Sequence, residues 1–285
     1  MKNIEKKRHT PKNNELPKIN TKFVNFLKKI KLYTLLKLIK DDKLKYFNKN
    51  NEKNLRRLKL YSKFIQKEDL CFNVGAYTGD EARNMLNLGA KVINIEPLDF
   101  CVNYMKKRFK EEIKEEKVIL LKNAVGSNYG KKQINLCNIP AFSSINEDYI
   151  KLGNKTRLEC SNLNIDKKEE VEVITLNYLC EKYGIPKFVK IIVETYEYEV
   201  LKNLRYKIPI ISIVIYLDVG KKFIKIAEDC IKKISSLGKY EFNITLQEQN
   251  IFVFKKWKTK KEMIRFIYSL DKELIWGSIY MRLKN

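Results

Sequence analysis

The sequence contains few of the residues on which many catalytic and metal sites depend. Its only histidine, His9, lies in a polar stretch, which excludes a Ser-His-Asp triad and a histidine-based metal centre inside the fold. The six cysteines are widely spaced and form no C-x-x-C pair. This spacing argues against a zinc site or a disulfide framework and indicates reduced, mostly buried thiols of a cytoplasmic protein. No apolar run reaches the length of a membrane span, and the polar residues 1–20 lack the apolar region of a signal peptide.

Positive charge is abundant and unevenly distributed. The net charge is +24, and residues 1–70 alone carry 21 basic and 7 acidic side chains. Such an excess favours attraction to an anionic lipid, a sugar phosphate or nucleic acid, and the alternative is a solvated surface of a Lys/Asn/Ile-rich chain. Nucleic acid ranks last among these partners because the chain lacks a recognition motif that interleaves basic and aromatic residues.

Composition divides the chain into three predicted parts. Residues 1–22 are predicted to be a disordered basic arm, residues 23–68 a helical extension, and residues 69–285 the folded domain. Within the extension, residues 23–40 combine an apolar helical stripe with lysines on the other faces. This helix either lies peripherally on an anionic membrane surface or packs its stripe against the domain.

The stretch around which the domain is organised begins at a short apolar strand, Leu70–Val74. Gly75 and Gly79 then form a turn before a helix, and a second strand, Lys91–Ile95, ends on Glu96. A strand, a glycine turn, a helix and a strand with a terminal acid make up a mononucleotide-binding half, in which the acid can accept hydrogen bonds from ribose hydroxyls.

The glycine spacing favours one type of ligand. The pattern is N-x-G-x-x-x-G, wider than the dinucleotide fingerprint, and suits a ligand without a pyrophosphate, such as S-adenosylmethionine. The alternative is a purely structural turn. The predicted cofactor-binding residues are Asn73, Gly75, Ala76, Gly79 and Glu96, together with Asn123, which comes after the third predicted strand.

The rest of the chain alternates strands with helices, which predicts an α/β fold with a mostly parallel, doubly wound sheet. A single helix is predicted over 99–114, and residues 151–170 are predicted to be irregular. Central strands are predicted over 188–193 and 208–217. Residues 240–246 and 251–254 are predicted to form a terminal antiparallel pair.

Two carboxylates are predicted to be catalytic. Glu194 ends a strongly apolar predicted strand, where a buried carboxylate is costly unless it has a function. Glu197, on the following helix, is the second candidate. The alternative for Glu194 is a salt bridge to a nearby lysine.

Several motifs in order resemble the FkbM family of S-adenosylmethionine-dependent methyltransferases. The resemblance covers about residues 61–280, and its main stretches are Phe72–Ala76, Ile95-Glu96-Pro97, Asn123–Gly126, Val173–Asn177, Val189–Glu194, Glu197–Leu201 and Trp276–Tyr280. Within the stretch 189–194, the matching residues are Val189–Ile191 and Val193-Glu194. The resemblance implies a Rossmann-like class I methyltransferase fold, S-adenosylmethionine as cofactor, and O-methylation of a sugar, a glycan or another small hydroxyl substrate.

The sequence departs from the family pattern at polar positions. Asn73 and Ile192 stand where the family usually has Asp, and Thr195 stands where it has Gly. Further departures are Asn177, Val214 and Ser278, each at a position where an acid is common. The loss of several carboxylates implies an alternative function, that of a catalytically degenerate member serving as a scaffold or regulatory partner. The acceptor and the oligomeric state stay open.

Overall fold

The computed structural model describes residues 52–156, 164–216, 221–270 and 276–284. The predicted basic arm and the predicted amphipathic helix lie outside these residues. No helix within the described ranges is long and apolar enough to cross a membrane.

Ten strands in this part of the chain form two sheets. They are β1 (Leu70–Val74), β2 (Lys91–Ile95), β3 (Val118–Leu121), β4 (Ala124–Gly126), β5 (Gly130–Cys137), β6 (Ile165–Thr175), β7 (Phe188–Ile191), β8 (Ile210–Tyr216), β9 (Tyr240–Leu246) and β10 (Trp276–Leu283). The larger sheet has the order β3-β2-β1-β7-β8-β10-β9, and the smaller one has the order β4-β6-β5.

The larger sheet is mostly parallel. Strands β3, β2, β1, β7 and β8 run parallel to their neighbours, whereas β10 is antiparallel to both β8 and β9. The central strands are apolar along most of their length because both faces are covered, and Phe72, Val74, Val189 and Ile191 are all buried. The predicted α/β fold with a mostly parallel sheet is therefore confirmed.

Helices cover both faces of the larger sheet. They are α1 (Glu52–Tyr61), α2 (Asp80–Asn87), α3 (Asp99–Arg108), α4 (Lys110–Lys114), α5 (Glu147–Thr156), α6 (Leu176–Tyr183), α7 (Glu197–Leu201), α8 (Lys221–Leu237) and α9 (Lys260–Ser269). Side chains of α6, α7, α8 and α9 pack with Phe72 and Val74 in one core cluster. Side chains of α1, α2 and α3 pack with Cys71 in another. Alternate residues of β1 thus point to opposite faces.

At the antiparallel end of the sheet, strand β9 has a different partner from the predicted one. Strand β9 pairs with β10, not with residues 251–254. Ile251 and Val253 are 57% and 41% exposed, and the backbone N–H of Val253 makes one hydrogen bond, of 2.9 Å, to the carbonyl of Ile244. Strand β10 is instead paired on both edges and almost wholly buried. It therefore gives β9 more backbone hydrogen bonds than residues 251–254 do.

Two further predictions are wrong in detail. The helix predicted over 99–114 breaks at Phe109, whose ring is completely buried among the side chains of α2 and α3. The region 151–170, predicted to be irregular, contains the end of α5 and the start of β6. The first part of β6 is mostly exposed, because β6 pairs with β5 in a small sheet with much solvent-facing surface. Its polar sequence therefore resembles a loop.

Candidate active site

A cavity of about 300 Å³ lies at the carboxyl ends of β1, β2, β3 and β7. Its volume is at the lower end of the roughly 300–1,000 Å³ found for small-molecule sites. The chain passes from β1 outward to β2 and β3 and later returns to the other side of β1 as β7, so the cavity lies at a topological switch point of the sheet. Ligands of open α/β sheets bind at such a point.

Glu96, which follows β2, is a buried carboxylate of the cavity wall that is held by two backbone donors. It is 5% exposed, and its two carboxylate oxygens accept hydrogen bonds from the backbone N–H groups of Tyr77 at 2.8 Å and of Leu98 at 3.0 Å. Burial raises the pKa of Glu96 to about 7, against the opposing effect of these two donors. The chain therefore keeps at the cavity a carboxylate whose protonation changes near neutral pH.

The backbone conformation and the close packing at position 75 require a glycine. It has a φ of +73°, and a Cβ added at this position would lie 1.8 Å from the carbonyl oxygen of Ile192. The residue after β1 therefore passes directly against the end of β7, and no side chain fits between them. This close approach brings Gly75 and Ala76 into the same cavity wall as Ile192, Val193 and Glu194.

Glu194 lies in the loop after β7 and lines the cavity. The hydroxyl of Tyr216, at the end of β8, donates a hydrogen bond to one of its carboxylate oxygens. Burial, followed by the nearby Glu194 carboxylate, raises the pKa of Tyr216 well above the ordinary value of a phenol, so this hydroxyl stays protonated and acts as a donor. The backbone carbonyl of Glu194 also accepts a hydrogen bond of 2.8 Å from the hydroxyl of Ser144.

The loop that carries Glu194 has an unusual backbone. Glu194 and Thr195 have φ values of +53° and +72°, a left-handed conformation that costs a β-branched residue the most. The side-chain amide of Asn146 donates a hydrogen bond of 2.8 Å to the Thr195 hydroxyl. Contacts from Ser144 and Asn146 therefore hold this strained turn in place.

The structure brings five of the eight sequence-predicted site residues to the cavity wall, namely Gly75, Ala76, Glu96, Asn123 and Glu194. Three others lie outside it. The amide of Asn73 is completely buried and donates to the side-chain oxygen of Asn94 at 2.9 Å. A Cβ on Gly79 would lie 2.4 Å from the ring of Phe109, so this glycine permits close helix packing.

Glu197 is the third residue that the structure separates from the cavity. It is 1% exposed and accepts a hydrogen bond of 3.2 Å from the backbone N–H of Val193. Burial raises the pKa of its carboxyl to about 8. Because Glu197 bonds to the loop that precedes Glu194, we assign it a supporting role in that loop.

Several wall residues were missed by sequence reasoning. Arg57 and Glu81 come from α1 and α2, Ser144 comes from the loop after β5, and Tyr216 contacts the wall residue Glu194 from β8. Glu81 lies in the first turn of α2, two residues after Gly79. The others lie far along the chain from the glycine turn, and no local pattern connects them to it.

The mostly parallel sheet with the cavity at its switch point defines the Rossmann-like class of α/β folds, and the acid after β2 makes the cavity a candidate nucleotide site. Within this class, the chain belongs to the FkbM methyltransferase family, because the methyltransferase FkbM domain matches residues 73–270. No match is found among curated proteins. The predicted family is thus confirmed.

Solved structures that resemble the chain include S-adenosylmethionine-dependent methyltransferases. A precorrin-6y C5,15-methyltransferase from Geobacter metallireducens is 9% identical with a TM-score of 0.42, covering 80% of this chain and 87% of that one. A TehB-like methyltransferase from Corynebacterium glutamicum is 8% identical with a TM-score of 0.41, covering 80% and 88%. An O-methyltransferase from Thermotoga maritima is 7% identical with a TM-score of 0.39, covering 81% and 65%.

The family implies a cofactor of the S-adenosylmethionine type. The side chains of the cavity fit such a molecule. Glu96 offers two carboxylate oxygens of the kind that accept hydrogen bonds from a ribose, and Asn123, which lines the same cavity, offers a side-chain amide. Leu98, Val125 and Ile134 provide apolar surface for a purine ring.

Proposed function

We propose that the chain is an S-adenosylmethionine-dependent O-methyltransferase that acts on a sugar, a glycan or another small hydroxyl substrate. The observation that carries this proposal is the pair of carboxylates Glu96 and Glu194, which follow strands on opposite sides of β1 and line one cavity. One carboxylate suits a ribose, and the other suits the proton of an acceptor hydroxyl.

In this proposal Glu96 binds the ribose hydroxyls and Asn123 contacts the adenine. When bound, S-adenosylmethionine supplies an electrophilic methyl group on a sulfonium. The main contribution of the chain is alignment, because an in-line displacement needs the nucleophile held on the axis of the breaking bond. The narrow junction of Gly75 with Ile192 keeps the two halves of the wall close together.

Glu194 is the proposed general base. As the new C–O bond forms, the acceptor hydroxyl loses its proton, and a carboxylate in the wall can take it. Tyr216 holds one oxygen of this carboxylate by a hydrogen bond, which fixes the orientation of the other oxygen. The strained turn at Thr195 and the bond from Ser144 fix the backbone beneath it.

A second candidate function is a cofactor-binding protein without turnover. It is favoured by one observation: the aliphatic side chain of Ile192 lines the cavity two residues from Glu194, and it can neither accept a proton nor hydrogen-bond a hydroxyl. In that case the cavity still binds the cofactor, and the protein acts through its surface as a scaffold or regulatory partner.

One experiment separates these functions. The protein is incubated with S-adenosylmethionine radiolabelled in the methyl group and a panel of mono- and oligosaccharides, and binding is measured in parallel by calorimetry. An enzyme transfers label, and Glu194→Gln lowers the rate at least about 100-fold while leaving cofactor affinity unchanged. Glu170→Gln, at an exposed residue paired with Lys131, is the control and leaves both quantities unchanged. Binding without transfer favours the second candidate, and the absence of binding contradicts both.

A further inference from the structure

An ion pair lies in the cavity wall at residues that the proposed function does not use. The side-chain Nε of Arg57, in α1, lies 3.4 Å from a carboxylate oxygen of Glu81, in α2. The two side chains are 13% and 15% exposed, and both residues line the cavity. Helix α1 precedes residues 73–270, the part of the chain that matches the family.

A buried tyrosine hydroxyl holds this ion pair in place. The hydroxyl of Tyr61, completely buried one turn after Arg57, donates a hydrogen bond to the other carboxylate oxygen of Glu81. Glu81 is the largest cause of a raised Arg57 pKa, so the guanidinium stays charged at any working pH. The wall thus presents a fixed positive group and a fixed negative group side by side.

We propose that Arg57 and Glu81 form the subsite for the amino-acid end of the cofactor. This end is a zwitterion, with a carboxylate and an ammonium on one carbon, and it matches two opposite charges held in contact, with Arg57 Nε 3.4 Å from a carboxylate oxygen of Glu81. The guanidinium binds the carboxylate through paired N–H donors, and Glu81 accepts from the ammonium. The inference rests on the proposed function, since it assigns the end of the cofactor opposite to the adenine.

The neighbouring ion pair has a different role. Arg108 donates to the carboxylate of Asp80 at 2.7 Å and also to the backbone carbonyl of Thr78 at 2.6 Å. It is 6% exposed and does not line the cavity, so it braces the turn between β1 and α2. Among the described residues that line the cavity, Arg57 is the only arginine. A free phosphate or another simple anion bound to Arg57 would lie against the like-charged carboxylate of Glu81.

The test compares two ligands that differ only at the amino-acid end. S-Adenosylhomocysteine carries it, whereas 5′-methylthioadenosine has the adenosine and sulfur without it. Arg57→Ala is expected to weaken S-adenosylhomocysteine binding roughly 10- to 100-fold in calorimetry and to leave 5′-methylthioadenosine binding unchanged. Arg57→Lys, which keeps the charge without the fork, is expected to give an intermediate loss. Lys59→Ala, at an exposed residue of the same helix, is the control and changes neither affinity.

The unchanged affinity for 5′-methylthioadenosine also shows that each variant is folded. Equal losses for the two ligands in both Arg57→Ala and Arg57→Lys would assign the ion pair a purely structural role and overturn this inference alone. Unchanged binding of both ligands would overturn it as well. If the wild type binds neither ligand, the proposed function fails, and the inference fails with it.

Discussion

The hydroxyl of Tyr216 donates a hydrogen bond to the carboxylate of Glu194, across two neighbouring parallel strands. Tyr216 lies at the end of β8, and Glu194 lies in the loop just beyond β7. This contact attaches the loop's functional carboxylate to the rigid sheet. A base that must point at a reacting hydroxyl benefits from such a fixed partner.

Tyr216→Phe should lower methyl transfer about 10-fold and leave cofactor affinity unchanged, because it removes the hydrogen bond that orients Glu194 and no contact proposed for the cofactor. Transfer rate and calorimetric affinity measure the two effects. Tyr240→Phe is the matched control, since its hydroxyl bonds to the Ile208 carbonyl at 2.8 Å away from the cavity wall. A rate unchanged in Tyr216→Phe would argue against Glu194 as the base.

The affinity for adenosine-containing ligands should rise with pH through about 7. Burial raises the pKa of Glu96 to about 7, and only the ionised carboxylate offers both oxygens fully as acceptors to a ribose diol. Calorimetry with 5′-methylthioadenosine between pH 6 and 8 measures this rise. Glu96→Gln should bind more weakly and show no such rise. An equal rise in the variant would assign the titration to another group.

The same carboxyl links stability to pH with a defined sign. Because its folded pKa exceeds the unfolded value of 4.5, the folded chain holds a proton that the unfolded chain releases. This contribution to stability is complete below pH 4.5 and is lost as the pH rises through about 7. Denaturant titrations should therefore show a smaller decline of the free energy of unfolding over this window in Glu96→Gln than in the wild type.

For Lys190 we predict the opposite dependence of stability on pH, in a higher pH range. Lys190 is 3% exposed, and its side-chain Nζ donates to the hydroxyls of Ser212 at 3.1 Å and Ser278 at 3.0 Å. Burial lowers the pKa of Lys190 to about 8. Between this value and 10.5 the unfolded chain binds a proton that the folded chain does not, so stability rises with pH.

The size of this effect can be measured against a variant without the amine. From pH 8 to 9.5 the free energy of unfolding of the wild type should increase by about 1.5 kcal/mol relative to that of Lys190→Met. Denaturant unfolding at both pH values gives the difference. Parallel curves for the two proteins would show that Lys190 titrates normally.

The strained turn after β7 can be tested by a double substitution. Asn146→Ala should lower the free energy of unfolding by about 1 kcal/mol, because it removes the hydrogen bond to Thr195 and leaves the strain. In that background Thr195→Gly should restore about 1 kcal/mol, because glycine adopts a φ of +72° without penalty. A further loss in the double variant would show that Thr195 is not strained.

Much of the fold could be predicted from local sequence. Strands β1 and β2 have the predicted bounds, because short apolar runs between turn residues have few alternatives. The position of β10 between β8 and β9 could not be predicted, since strand order depends on contacts between distant segments. The break at Phe109 could not be predicted either, because it follows from the burial of one ring against Gly79.

In the candidate site, too, some residues could be predicted from local sequence, and others are placed by contacts between distant segments. Gly75, Glu96 and Glu194 follow strands, and the geometry of a parallel sheet brings such residues to one edge. Asn73 precedes the last residue of β1, and its side chain turns to Asn94 on the neighbouring strand instead. The positions of Arg57 and Tyr216 at the cavity depend on tertiary packing alone.

The central claim is that the cavity bounded by Glu96 and Glu194 binds the cofactor of a methyltransferase. Its most direct test is a calorimetric titration of the wild type and of Glu96→Ala with S-adenosylmethionine. We predict one molecule bound per chain with a dissociation constant on the order of micromolar, and a sharp loss of affinity in Glu96→Ala. The absence of binding to the wild type, or equal affinity in the variant, would contradict the claim.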